Sequence, residues 1–162
     1  AKAVSAPAQE TTDTTTTEAP TTEAPTTEAP TTEAPVTEAP TSDLGQQIAN
    51  FACQFVGNPY VWGGTSLTNG ADCSGFVQSV YKNFGYSLPR TCTPQSNAGT
   101  AVSLAALAPG DLVFYDHGTG SCEHVGIYIG NGQIVHASSS RTGIKISNVN
   151  YSTPFKACRI VN

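Results

Sequence analysis

The chain has 162 residues, 38% of them hydrophobic, and a formal net charge of −5. That charge is split: residues 1–43 carry eight acidic groups against Lys2, whereas residues 44–162 carry four against six basic ones and come out at +2. No run approaches the roughly 18 apolar residues a bilayer span needs, and neither part is basic enough to read as a nucleic-acid surface. What is left is an acidic spacer and one domain long enough to bury a core. No methionine occurs, position 1 included, so the chain reads as a processed or excised product whose signal peptide, if it had one, is gone.

Residues 16–40 are four copies of TTEAP followed by VTEAP. A proline at every fifth position excludes a regular helix, and almost nothing apolar is available to bury, so residues 1–43 are expected to form a disordered or extended linker. In polyproline II form, at about 3.1 Å per residue, such a linker would reach on the order of 130 Å. Threonine beside proline is also the composition of O-glycosylated stalks. A pentapeptide is too short for a packed solenoid unit, so the repeat indicates a spacer.

The domain, residues 44–162, opens at a capping-box pattern, Asp43 with Gln46, and a helical stripe of Ile48, Phe51, Ala52, Phe55 and Val56 that Gly57-Asn58-Pro59 ends. Tyr60-Val61-Trp62-Gly63-Gly64 is a short aromatic segment whose glycines allow a turn or a close approach; its two large aromatics also suit a core. A second stripe, Phe76, Val77, Val80, Tyr81 and Phe84, stops at Gly85 and has Asp72 as N-cap. Cys73 then falls in the first turn, where unpaired N–H groups and the helix dipole favour a thiolate, the nucleophilic form. A core role or half of a disulfide are the alternatives for it. Residues 87–110 are turn-rich and are expected to wrap near the start of that helix, with Arg90 and Gln95 as polar groups available to a ligand; a solvated loop position is the alternative for either and the favoured one for Gln95.

Asp111–Tyr115 reads as a strand, and the glycine-rich loop after it holds His117 as an exposed histidine. His124–Ile129 and Gln133–Ser138 then read as a β-hairpin. A plain two-residue Asn131-Gly132 loop would point His124 and His136 to opposite faces. A three-residue loop with a bulge at Gly132 would pair Ile129 with Gln133 and put both histidines on one face, with Gly126 leaving room between them. The second register is expected. Strands near Ile144–Val149 and Phe155–Val161 complete an antiparallel sheet.

Five cysteines in a small domain indicate an oxidising, extracytoplasmic setting, and an odd count leaves at least one thiol. With Cys73 free, three pairings of the others are open; packing of the first helix across the last strand would join Cys53 to Cys158 and leave Cys92 and Cys122 to link two loops. The histidines lack metal-ligand spacing, no C-x-x-C occurs and no cofactor motif is present, so neither a metal nor a cofactor is expected.

A cysteine at a helix start, a histidine about fifty residues later on a strand and a second histidine on the next strand fit triad logic. Cys73 would attack a carbonyl carbon, His124 would move the proton and His136 would orient the imidazole. In order, Asn58-Pro-Tyr-Val-Trp-Gly-Gly64, Asp72-Cys-Ser-Gly-Phe76, Leu88-Pro-Arg90, Pro109-Gly-Asp-Leu-Val113, His124-Val-Gly-Ile-Tyr-Ile-Gly130 and Val135-His-Ala137 resemble the successive motifs of the NlpC-type cell-wall cysteine peptidases, over about residues 46–161. The resemblance implies an α+β papain-like fold and a secreted or wall-associated bacterial enzyme, acting as a monomer. Such an enzyme cleaves peptidoglycan stem peptides, commonly between D-γ-glutamyl and the diamino acid, lysine or diaminopimelate. It also implies that Cys73, His124 and His136 are the triad and that Tyr60, Asp72 and Ser74 line the substrate end of the cleft, with Asp72 able to meet an amino group. Wall-binding modules upstream would suit the spacer. An N-acetylmuramoyl-L-alanine amidase, an acyltransferase and a non-catalytic wall-binding module are the competing readings.

Overall fold

The computed structural model describes residues 43–162; the linker expected at its N-terminal side lies outside them, apart from Asp43. Among the described residues three helices occur, α1 (Asp43–Cys53), α2 (Cys73–Lys82) and the single turn α3 (Cys92–Gln95). A small ribbon pairs β1 (Thr65–Ser66) with β2 (Gly70–Ala71). The main sheet takes β3 (Thr100–Ala101), β4 (Leu112–Tyr115), β5 (His124–Gly130), β6 (Gln133–Ser139), β7 (Gly143–Asn148) and β8 (Pro154–Arg159). Its order is β3-β8-β4-β5-β6-β7, with each neighbouring pair antiparallel, so the protein is α+β as its sequence indicated.

The period-two alternation of the strands divides the core. Leu112, Phe114, Val125, Ile127, Val135 and Ala137 pack against Ile48 and Ala52 of α1 and Phe76, Val77 and Val80 of α2. On the opposite face Val113, Tyr115, Tyr128, Ile134 and Val149 form a smaller cluster. His124 and His136, out of phase with Val125 and Val135, belong to this second face. Burying the fully enclosed large side chains, Tyr81, Phe76, Tyr115 and Phe114 among them, stabilises the fold by roughly 2 kcal/mol each.

The hairpin departs from expectation in its loop. Gly130 pairs with Gln133, so the connection is the two-residue Asn131-Gly132 turn, both residues at positive φ (53° and 70°). Such a turn matches the strand twist and suits Asn-Gly. The bulge lies instead between Tyr128 and Gly130, where Ile129 is the extra residue. That extra residue shifts the ladder by one, so Tyr128 faces Ile134 and Ile127 faces Val135. Continued, this register sets Gly126 against His136, and the histidines share a face as expected, by a different device. A Cβ at Gly126 would stand 3.3 Å from His136 Cβ and 2.8 Å from Ile134 Cδ1, so a side chain there would crowd the second histidine.

Of the expected disulfides, Cys92–Cys122 is formed, with Cα atoms 5.8 Å apart. Cys53–Cys158 is not. Helix α1 packs on β5 and β6, whereas β8 lies beyond β4, so the helix end does not reach Cys158. That thiol is fully buried and lies 3.6 Å from the Gln95 carbonyl oxygen. Among the described residues no helix is long and apolar enough to cross a membrane.

The edge of the sheet beside β4 is fastened by a buried ion pair. Arg159 Nε and Nη2 each donate to Asp111 at 2.8 Å, and the carboxylate also accepts the Ala108 amide at 2.8 Å. Because Asp111 is 1% exposed, Arg159→Ala strands a buried carboxylate. The expected loss is about 3 kcal/mol of unfolding free energy, measured by urea denaturation, against less than about 0.5 kcal/mol for an exposed control such as Lys82→Ala.

Candidate active site

The site is built on the start of α2. Asp72 has extended backbone (φ −84°, ψ −179°), and its Oδ1 accepts the Gly75 amide at 2.7 Å, which is the expected N-cap. Oδ2 accepts the Gly63 amide at 3.0 Å, tying the aromatic glycine loop to the helix start. Close packing makes Gly75 obligatory, since a Cβ there would collide with the Gly64 carbonyl oxygen. Arg90 completes the junction: Nη1 and Nη2 donate to the two Asp72 oxygens at 3.0 and 2.9 Å, and Nη1 also meets Ser74 Oγ at 3.1 Å. Burial opposes the Asp72 charge, but the guanidinium and the two amides outweigh it and hold the carboxyl below its usual pKa.

This junction frames an open cleft of about 630 Å³ lined by Tyr60, Asp72, Cys73, Ser74, Arg90 and His124. Tyr60 pairs with Ala71 in an isolated parallel bridge that carries its ring to the cleft. Burial, then the nearness of Cys73, raises its hydroxyl pKa, so Tyr60 is a donor at neutral pH. Trp62 is not core: it is 86% exposed at the rim. The Cys92–Cys122 bridge also lines the cleft and joins the Arg90 loop to the residues just before His124.

Cys73 is the first residue of α2, as its spacing indicated, and is free and half-buried. Its Sγ lies 4.0 Å from the Glu123 carbonyl oxygen, at the entry to β5. His124 and His136 are buried, with ring centroids 4.9 Å apart in a T-shaped arrangement, and His124 Nε2 is 2.6 Å from His136 Nδ1. His136 does not line the cleft; it stands behind His124, with its Nε2 2.8 Å from Ser147 Oγ. With Nε2 of His124 engaged, Nδ1 is the nitrogen left for the cleft.

The charge state differs from the thiolate suggested by the helix start. Burial pushes the Cys73 thiol up, the Asp72 charge adds to that, and backbone amides of Val125, Ser74 and Cys73 itself offset only part. Burial likewise pushes both histidines below about 6.5, and the second positive charge each would place beside the other adds to it for His124. Both shifts favour the uncharged forms, thiol and neutral imidazole.

Several residues of the site were not legible as such. Gln95, read as solvated, is fully buried; its Nε2 donates to the carbonyl oxygens of Ser74 at 3.0 Å and Pro89 at 2.8 Å, locking the Arg90 loop to α2. Tyr151, from the β7–β8 connection, lays its ring 5.2 Å from that of His136. His117 is exposed as expected, yet its ring is 6.2 Å from that of His124. Only contacts made by the fold bring these groups in, and no local motif marks them.

Two pH dependences result. Alkylation of Cys73 by iodoacetamide in the free protein is expected to rise along one limb with a midpoint above the ordinary thiol value of about 8.5; a plateau reaching below pH 6 would reveal a preformed ion pair instead. The histidines bind protons more readily unfolded than folded, so their contribution to stability is full above about pH 6.5 and is lost as pH falls from there toward their lowered folded values. The thermal midpoint should therefore drop between pH 6.5 and 4.5, with a shallower slope in His136→Asn; equal slopes would show that His136 protonates freely in the fold.

Comparison with known proteins agrees with this geometry. The model of the NlpC/P60 family matches residues 57–161. A γ-D-glutamyl-L-lysine dipeptidyl-peptidase of Bacillus cereus is 42% identical over 105 residues, which are 64% of this chain and 31% of that protein. A γ-DL-glutamyl hydrolase of Bacillus subtilis is 47% identical over 111 residues, 67% of this chain and 26% of that one. The chain thus spans about a third or less of the length of these two relatives. Among solved structures, the NlpC/P60 domain of the peptidoglycan hydrolase SagA superposes with a TM-score of 0.66 at 36% identity, covering 72% of this chain and 98% of that domain. The fold is therefore the papain-like α+β fold of those domains, and the chain belongs to the NlpC/P60 family of cysteine-type peptidases, with residues 57–161 as its family domain.

Proposed function

We propose that this protein is a secreted or wall-associated peptidoglycan endopeptidase that cuts stem peptides between D-γ-glutamyl and the diamino acid. The observation that carries the reading is that Cys73, at the start of α2, and His124 line one cleft, with His136 2.6 Å behind His124. The relatives support the bond, since both are named for γ-glutamyl linkages.

In this reaction Cys73 Sγ attacks the γ-carbonyl carbon while its proton passes to His124 Nδ1. The carbonyl oxygen takes the negative charge and is met by amides at the start of α2, which intrahelical bonds leave open, and by the Tyr60 hydroxyl. His124 then protonates the leaving amine, the C–N bond breaks and a thioester remains. Water gives a proton to His124 and attacks the thioester; the C–S bond breaks and the proton returns to Cys73. His136 holds the His124 ring so that Nδ1 faces sulfur.

Tyr60, Asp72, Ser74 and Arg90 would hold the N-terminal end of the stem peptide. Asp72 already accepts two amides and both Arg90 nitrogens, so a substrate ammonium group has to share the carboxylate with Arg90 rather than find it vacant.

Mass spectrometry of defined muropeptides incubated with the whole chain tests the reading. Fragments split between D-glutamate and the diamino acid are expected, with at least about a thousandfold less product for Cys73→Ala. Release of the intact peptide from the sugar would make the protein an amidase, and muropeptides left whole by wild type and mutant alike would point to a wall-binding module.

A further inference from the structure

We propose that Ser147 is a positioning residue for this reaction, selecting the one proton arrangement of the two histidines that leaves His124 able to act as a base. The inference rests on the Cys73–His124–His136 reading above.

A histidine in the third position raises a difficulty that an asparagine or carboxylate does not. A carbonyl or carboxylate oxygen only accepts, so it fixes the neighbouring imidazole outright; a histidine ring has two tautomers. Two contacts form a chain, His124 Nε2 to His136 Nδ1 at 2.6 Å and His136 Nε2 to Ser147 Oγ at 2.8 Å. With both rings neutral, each link holds one proton, and the chain can be filled in two ways. In the first, His124 Nε2–H donates to His136 Nδ1 and His136 Nε2–H donates to Ser147 Oγ, so His124 Nδ1 is bare and can take the Cys73 proton. In the second every bond is reversed: Ser147 donates to His136, His136 Nδ1–H donates to His124 Nε2, and His124 Nδ1 carries a proton that blocks it as a base. The far end of the chain therefore decides what the near end can do.

Ser147 is placed for this by the sheet. On β7 it pairs with Ile134, two residues along from the His136–Lys145 pair, so its hydroxyl lies diagonally across from the imidazole on the same face. His136 is 1% exposed, with the Tyr151 ring 5.2 Å away, and at 2.8 Å the oxygen of the half-buried Ser147 is the direct partner of its Nε2. Removing that oxygen leaves a buried N–H without an acceptor in the productive arrangement but only an unused lone pair in the reversed one. Since orphaned N–H groups are the rarer in folded proteins, the balance shifts toward the reversed state. The other groups facing the pair, Lys145 and Tyr151 at His136 and His117 and Tyr115 at His124, are unchanged by the substitution.

Nitrogen-15 NMR of the imidazoles in the whole chain reads the tautomers directly, and muropeptide turnover reads their consequence. Wild type is expected to carry its His136 proton on Nε2. In Ser147→Ala that proton moves toward Nδ1, kcat falls about tenfold with KM unchanged, and Ser147→Thr, which keeps the hydroxyl, restores both. A wild-type His136 protonated on Nδ1, or a folded Ser147→Ala with wild-type tautomer and wild-type kcat, overturns the proposal. If wild type cleaves no muropeptide, the endopeptidase reading fails, while the NMR comparison of wild type with Ser147→Thr and Ser147→Ala still decides whether Ser147 sets the tautomer.

Discussion

One carboxylate holds the site together. Asp72 caps α2, accepts the Gly63 amide and receives both ends of the Arg90 guanidinium, so three separate segments meet at two oxygen atoms. The cap fixes where α2 begins and so where Cys73 stands; the Gly63 contact fixes the loop that presents Tyr60; the guanidinium fixes the substrate-side wall. Each contact alone contributes modestly, but a buried carboxylate whose two oxygens accept several donors permits little rearrangement among the pieces. The close approach at Gly64 and Gly75 is the steric counterpart of the same junction.

The opposite wall depends on strand register. His124 and His136 lie on different strands of a hairpin whose loop would, by length alone, separate them. One inserted residue, Ile129, corrects the phase, and the absence of a side chain at Gly126 gives the ring of His136 its space. Cys73 and the two histidines are thus positioned by unrelated means, a helix cap on one side and a bulge on the other, and they come together where the start of α2 faces the entry to β5. Burial at that meeting point favours the neutral form of both partners and works against the helix dipole.

What could be read from the sequence follows the range of the physics involved. The α2 start was legible because an N-cap, a stripe of apolar residues and a stop signal all lie within fourteen residues. The strands were legible from alternation, and the shared face of the histidines followed from requiring one site. The bulge was misplaced because Gly130 and Gly132 both take positive φ, and a sequence does not show which one breaks the ladder. Gln95 was misread as solvated and Ser147 was not singled out, because the contacts of each depend on how the fold brings other segments to it. Cys53 was paired wrongly for the same reason, since the path of α1 over the sheet is a tertiary property. The two-residue strands β1, β2 and β3 carry too few residues for any periodicity.

The bridge between Cys92 and Cys122 closes a covalent ring around the residues between them, with a sequence separation of 30. That ring contains the exposed stretch near Leu104 as well as β4, and its two ends are the Arg90 side and the His124 side of the cleft. A protease that cuts the chain once anywhere inside the ring leaves a two-chain molecule whose pieces stay bonded at the cleft itself. The exposed peptide bonds on this loop are therefore ones whose loss does not separate the two walls.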